Sequence, residues 1–289
     1  MDILIGLGNV GYKLTKSFAK YPQYKVITIE HEDGATIRVP EYDHPEKYEA
    51  NFPDISQQLK NLDGEILFIL SGASIISGAS LRILEQIPDK SRISLLYIHP
   101  DMDTLSETRR LQANLVFGVM QQYTRSGVFK RLYAVDNQII DQILGGAPIM
   151  GYYDSLNELI VATIHMTNVF NNSESVVGTL SNLKETLKIC TFGILNPETG
   201  EENSFFSLDN VKDKRYYYAI PEEELRTDKA LMGKIMSQVK DTPQEKDVKV
   251  SYGVFPTQYA DKYAYFIAST SEIQNEQNFL TLSQNCFIV

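Results

Sequence analysis

Cysteine is scarce in this 289-residue chain, and basic charge is in deficit. The two cysteines, Cys190 and Cys286, stand far apart, so the pattern suggests neither a disulfide framework nor a zinc site. Reduced, buried thiols are the expectation. Acidic residues outnumber basic ones 37 to 27, a net charge of -10, and no dense basic run occurs. A phosphate backbone is bound through clustered Lys and Arg that displace counterions, so direct nucleic-acid binding is not expected. No apolar run approaches the ~20 residues that span a bilayer, and the opening MDILIGLG has no basic region or cleavage site. These features predict a cytoplasmic chain without membrane contact. The four histidines, His31, His44, His99 and His165, lack ligand spacing, so no metal site is expected. G-x-S-x-G, the Walker lysine loop and H-E-x-x-H are all missing.

What is present is the composition of a packed protein, 43% hydrophobic and 22% charged. Asp2 to Leu7 reads as a strand that turns through glycines into a helix over Tyr12 to Lys20. Further strands are predicted at Lys25 to Glu30, Thr36 to Val39, Glu65 to Leu70, Ile93 to Ile98 and Arg131 to Val135. Helices fall between them at Asp54 to Leu62, Leu81 to Gln86 and Thr104 to Tyr123. Strands alternating with helices at this spacing predict an α/β fold with a doubly wound parallel sheet. Asp154 to Phe170 is apolar nearly all round, the mark of a long helix buried between layers. Beyond the polar NNSES segment come strands at Tyr216 to Ile220, Val248 to Val254 and Tyr263 to Ser269, with one helix over Pro221 to Lys240. The tyrosines at 216 to 218 read as strand packing. The expected organisation is a nucleotide-binding domain over 1–152, a central helix over 153–172, a smaller α+β domain over 173–278 and an apolar tail over 279–289.

Gly6, Gly8 and Gly11 satisfy G-x-G-x-x-G between a strand and a helix, and Glu30 ends the next strand. Glycines let backbone approach a phosphate, and the helix start supplies N–H groups and partial positive charge. A tight strand-to-helix turn would also need glycines. On this motif alone an NAD(P)-dependent oxidoreductase remains open, but no catalytic set appears in the second half.

Beyond that motif the chain resembles the tubulin/FtsZ superfamily, at places that follow the family's order. Gly72-Ala73-Ser74-Ile75-Ile76-Ser77-Gly78 follows a strand, in register with the family's GGGTGSG phosphate loop. Glu107 and Arg110 follow Tyr97 to Pro100 much like the family's segment beside the nucleotide sugar. Asp136-Asn137-Gln138 is similar to tubulin's Asp-Asn-Glu, and Tyr153 and Asn157 sit at the spacing of the family's guanine-stacking aromatic and its edge-reading Asn. The likeness covers about residues 1 to 270.

The resemblance implies GTP or GDP, with Mg2+ accompanying it, held by Gly6, Gly8, Asn9, Gly11, Gly72, Ser77, Gly78, Glu107, Arg110, Asn137, Tyr153 and Asn157. It also implies head-to-tail self-assembly into filaments, with the nucleotide at the subunit junction. The departures are chemical. Ala73, Ser74 and Ile76 replace glycines, Ile75 replaces the threonine, and Thr179, Ser181 and Asn182 stand where the family's catalytic loop carries carboxylates. Hydrolysis is therefore expected to be slow or absent. A non-polymerising structural paralogue with a decayed site is the alternative.

Overall fold

The computed structural model describes residues 1–241 and 248–274. The first strands, β1 (Ile3–Leu7) and β2 (Lys25–Glu30), pair in parallel, with helix α1 (Gly8–Phe18) crossing between them. A short β3 (Ile37–Arg38) extends the sheet beyond β2. Helices α2 (Pro45–Asn51) and α3 (Ser56–Leu59) precede β4 (Ile66–Leu70), which pairs with the opposite side of β1. After α4 (Ser80–Glu85) comes β5 (Ile93–His99), then α5 (Glu107–Arg125), β6 (Arg131–Asp136) and α6 (Asn137–Leu144). The resulting order β3-β2-β1-β4-β5-β6 is parallel throughout. This is the doubly wound sheet that the alternation of strands and helices predicts.

Both faces of that sheet are covered, which explains why its strands read as unbroken apolar runs. Ile3, Ile5, Phe68, Leu95 and Tyr97 pack with Val116, Phe117 and Met120 of α5 in one core. Their neighbours Leu4, Leu67, Ile69, Leu96 and Ile98 pack in a second core with Leu14 and Phe18 of α1. That second core is closed by α7 (Tyr152–Asn171), whose Leu156, Ile160, Val161, Ile164 and Phe170 are all buried. The wide apolar surface of α7 follows from its position on that face of the sheet, packed beside α1 and α6.

The remaining strands are β7 (Val177–Thr179), β8 (Ile189–Leu195), β9 (Glu202–Ser204) and β10 (Asp213–Pro221), followed by α8 (Glu222–Thr227), α9 (Leu231–Asp241), β11 (Lys249–Thr257) and β12 (Tyr263–Thr270). They extend the same sheet as β6-β8-β12-β10-β11-β7, with β9 pairing β8. The junction is narrow, resting on Leu132 opposite Ile189 and Tyr133 opposite Cys190. Pattern reading assigned no strand to Ile189–Leu195, although its run ICTFGIL is apolar enough to have shown it.

The tyrosines of β10 are core residues. Tyr216 and Tyr218 join Leu231 and Ile235 of α9 in one cluster, and Tyr217 faces the other way toward Phe255. The single helix expected over Pro221 to Lys240 is two helices. Asp228 turns extended and its carboxylate accepts the Ala230 N–H at 2.8 Å, so a local hydrogen bond displaces the helical one. The helices expected at Thr104 and Asp54 also begin later, at Glu107 and Ser56. Each is preceded by an aspartate that accepts a backbone N–H two residues on, Asp101 from Asp103 and Asp54 from Ser56. The apolar tail from Phe279 and the second cysteine, Cys286, lie outside the described residues. Cys190 is fully buried, and burial pushes its thiol up to about 12.

Candidate functional site

Four parallel strands deliver their loops to one edge of the sheet. Gly6 lies opposite Ile69, Leu70 opposite Tyr97, and His99 opposite Asp136, so β1, β4, β5 and β6 end together. The connection runs outward from β1 to β2 on one side and from β4 onward on the other. The crevice at such a reversal, outside the carboxyl ends of the strands, is where open α/β sheets bind ligands.

The first wall is the β1–α1 turn. Gly8 is its first helical residue and has φ +70, a conformation that disfavours a side chain. Helix α1 starts with no side-chain cap and no acidic residue in its first turn. Its N–H groups and the positive end of its dipole are therefore not engaged by the chain's own carboxylates. Gly6 and Gly11 are glycines for a different reason. A β-carbon on Gly6 would run into the Gly11 carbonyl, and one on Gly11 would lie 2.7 Å from the Ile69 carbonyl. They permit close approach of α1 to the sheet.

The second wall is 71–79, wound from Ile75 to Ala79 into a 3-10 turn. It too begins with no side-chain cap and no acid in its first turn. Its interior is tied to itself and to α5. The Ser77 hydroxyl donates to the carbonyls of Gly72 (2.9 Å) and Ser74 (2.6 Å). Gln112 donates to the Ser74 carbonyl at 2.7 Å and to Ser77 Oγ at 3.0 Å. Gly72 is confined by the Tyr97 hydroxyl, and Gly78 by Pro45 of α2. Ser77, Gly72 and Gly78 thus have packing roles in the loop. The two walls touch, because a β-carbon at Gly8 would stand 2.8 Å from Ser74 Oγ and 2.9 Å from Ile76 Cγ2.

The third and fourth loops are cross-linked. Arg110 donates from Nε to the Leu105 carbonyl at 3.1 Å and from Nη2 to the Asp103 carbonyl at 3.4 Å. Gln138 donates to Asp101 at 2.6 Å, joining the loop after β5 to the start of α6. Asp136 caps α6 by accepting the Gln138 N–H at 2.8 Å, leaving Asn137 half-buried as the first helical residue. Glu107 opens α5 and is exposed, as is Asn9 on α1. Tyr152 opens α7, where desolvation and a hydrogen bond to Asp141 hold its phenol above the ordinary value. Its neighbour Tyr153 is 59% exposed, stacked edge-on against Tyr152, and Asn157 lies buried one turn further. The predicted residues therefore come from the β1, β4, β5 and β6 loops and the start of α7.

The segment aligned with the family's catalytic loop lies elsewhere. Helix α7 runs away from the carboxyl edge, so that Asn168 donates to the Met1 carbonyl at 3.1 Å, at the amino end of β1. The segment after it stays at that amino edge. Arg131, the first residue of β6, donates to the Leu187 carbonyl at 2.8 Å and to the Leu183 carbonyl at 3.4 Å. Thr179 ends edge strand β7, Ser181 donates to Ser251 Oγ at 3.2 Å, and Asn182 is exposed.

Glu30 does not present itself to this crevice. It is 2% exposed and accepts the His31 N–H at 2.9 Å. His165 stacks on Tyr21 at 3.6 Å, and its ring nitrogen is within 3.1 Å of the Tyr24 hydroxyl. Among the described residues no cluster of His, Cys, Asp or Glu suits a metal ion. No helix of the described residues is long and apolar enough to cross a membrane. Gln112 and Arg131 escaped sequence reading, since isolated polar residues on helices and strand starts carry no local signal.

With this geometry in view, likeness to solved structures is extensive. The chain is similar to TubZ of Bacillus thuringiensis serovar israelensis in its GDP-form protofilaments, at 12% identity and TM-score 0.70, covering 98% of this chain and 90% of that one. It is similar to the FtsZ dimer of M. jannaschii at 11% identity and TM-score 0.64, covering 96% and 88%. CetZ from Methanosaeta thermophila strain DSM 6194 gives 13% identity and TM-score 0.63, covering 99% and 90%. No family model and no curated protein matches the sequence. The chain has the fold of the tubulin/FtsZ superfamily.

Proposed function

We propose that this protein is a tubulin-like cytoskeletal subunit that assembles head to tail, with a guanine nucleotide held at the junction between copies. The observation that carries this reading is the placement of its two candidate segments. The glycine turn, the 71–79 loop, Asn137 and Tyr153 stand at the carboxyl edge, while Thr179, Ser181 and Asn182 stand at the amino edge. Within one molecule they do not meet. A second copy stacked along the strand direction brings one to the other, and a heterologous contact of this kind continues into a filament. A TubZ structure of the same fold is a two-stranded filament.

In this reading residues 1–152 form the nucleotide-binding domain, 153–172 the central helix and 173–278 the C-terminal α+β domain. The start of α1 and the 3-10 turn at Ile75 would hold phosphate through backbone N–H groups. Tyr153 would stack on the base, and Asn137 and Asn157 would hydrogen-bond its edge or sugar. Both helical starts lack acidic side chains, which fits an anion. Mg2+ would ride on the phosphates, since among the described residues no group of three or more His, Cys, Asp or Glu suits a metal ion.

The junction would be poor at hydrolysis. Thr179, Ser181 and Asn182 hydrogen-bond water but do not take its proton at neutral pH. Electron microscopy of the purified protein with GTP, with GDP and without nucleotide tests the assembly. Filaments support it, and their absence at any concentration of protein and nucleotide overturns it.

A second reading, a non-polymerising paralogue, rests on the contact of Ser74 and Ile76 with Gly8, which narrows the phosphate cradle. Calorimetry with GDP separates the two, because a closed cradle gives no heat.

A further inference from the structure

Helix α5 carries an apolar stripe that the described residues leave bare. Leu111 is 64% exposed and Leu115 is 68% exposed. They stand four residues apart, on one face of the helix. A turn further along that face is Gly118, where an added β-carbon would meet nothing within 4 Å. On the same helix Leu111 and Leu115 point away from Val116, Phe117 and Met120, which fill the core.

The described chain ends against the same helix. Gln274 is 4% exposed, and Gln121 of α5 holds it by a reciprocal pair of hydrogen bonds. The Gln274 N–H donates to Gln121 Oε1 at 2.7 Å, and Gln121 Nε2 donates to the Gln274 carbonyl at 3.1 Å. Gln121 is itself buried on α5, roughly 80° around the helix from Leu111 and roughly 120° from Leu115 at 3.6 residues per turn. Residues 275–289 therefore follow from a point anchored to the same helix that carries Leu111 and Leu115. They carry Phe279, Leu280, Leu282, Phe287, Ile288 and Val289.

We propose that residues 275–289 dock back on their own molecule, covering the Leu111–Leu115 stripe of α5. Reach presents no obstacle. Ten residues of helix from Gln121 to Leu111 span about 15 Å, whereas an extended segment of this length reaches ~50 Å. Phe279 and Leu280 arrive first, within a few residues of the anchored Gln274. Both partners are apolar, so docking removes both from water. The anchored exit also gives the tail a high local concentration at this helix, which favours its own molecule over a neighbour.

Engineered cysteines in the full chain test this, with Cys190 and Cys286 replaced by serine. Leu115→Cys with Leu280→Cys is oxidised at nanomolar concentration and compared with Glu158→Cys with Leu280→Cys. Glu158 is an exposed position on α7, across the sheet from α5. The expected result is an intrachain disulfide in the first pair, at least tenfold faster than in the second. A Leu111→Asp substitution should abolish that preference, with the melt unchanged. Equal rates for the two pairs, or no disulfide in either, overturn the proposal. Product that is only intermolecular also overturns it, since it would place the tail on a second copy.

Discussion

Gln112 and Ser77 form the hinge pin of the loop after β4. A carboxamide from α5 donates to the hydroxyl at 3.0 Å while the hydroxyl spends its own proton on the loop's Gly72 and Ser74 carbonyls. The shape of this loop is therefore held by side-chain hydrogen bonds.

Replacing Gln112 with alanine should therefore unpin the loop. Two hydrogen bonds are lost, each contributing about 0.5–1.5 kcal/mol. Urea denaturation should show a loss of about 1–3 kcal/mol, and hydrogen exchange should quicken at Ser74 to Ser77. Unchanged exchange there would mean that the loop holds its shape without α5.

Tyr153 offers a cleaner probe of binding, because it is 59% exposed and contributes little to the core. Tyr153→Ala should leave the melting temperature within error and weaken GDP binding by roughly 1–3 kcal/mol, the value of a base–aromatic stack. Calorimetry reads both. Equal affinity in the two proteins would move the base elsewhere.

In the proposed junction, hydrolysis should respond to a carboxylate placed in the 179–182 segment. Phosphate release at assembling concentrations should be very slow in the natural chain. Asn182→Asp should raise it, by as much as the ~100-fold or more that a positioned acid–base group contributes. Glu185 is exposed and 3.9 Å from Lys188. Turnover of about 1 per second in the natural chain, lost in Glu185→Ala, would show that Glu185 and not the 179–182 segment carries the chemistry.

Asp213 makes stability depend on pH. It is fully buried and neither carboxylate oxygen has a hydrogen-bond partner. Desolvation raises its carboxyl above the ordinary value, more than Arg215, Lys249, Lys184 and Arg131 lower it. A raised carboxyl favours the protonated fold, so its contribution is present in acid and is lost as pH rises through the folded value. Asp213→Asn should therefore melt higher than the natural protein at pH 7, with the gap closing toward pH 4. A gap that is constant with pH would assign the difference to packing.

Local pattern was enough for much of the first half. The runs ILIGL, ILFIL and ISLLYIH are buried on both faces, and burial on both faces is what an unbroken apolar run encodes. Helix α7 was legible for the same reason. Where polar side chains took over backbone hydrogen bonds, as at Asp228, Asp101 and Asp54, boundaries shifted from their apolar periodicity. The glycine motif was legible as a turn, but the separate duties of its members were not. Only Gly8 requires a positive φ, while Gly6 answers to the close approach of Gly11 and Gly11 to the Ile69 carbonyl on β4.

The sequence by itself determined the alternation of strand and helix, the apolar central helix and the residue types gathered for a candidate nucleotide site, because each is written in neighbouring residues. Tertiary structure alone decided that β8 joins β6 into one continuous sheet, that Gln112 pins the 71–79 loop, and that Ser74 and Ile76 crowd Gly8. It also decided that the 178–184 segment lies at the opposite edge from the glycine turn. These are contacts between residues distant in the chain, and their energies depend on distances that no local pattern carries.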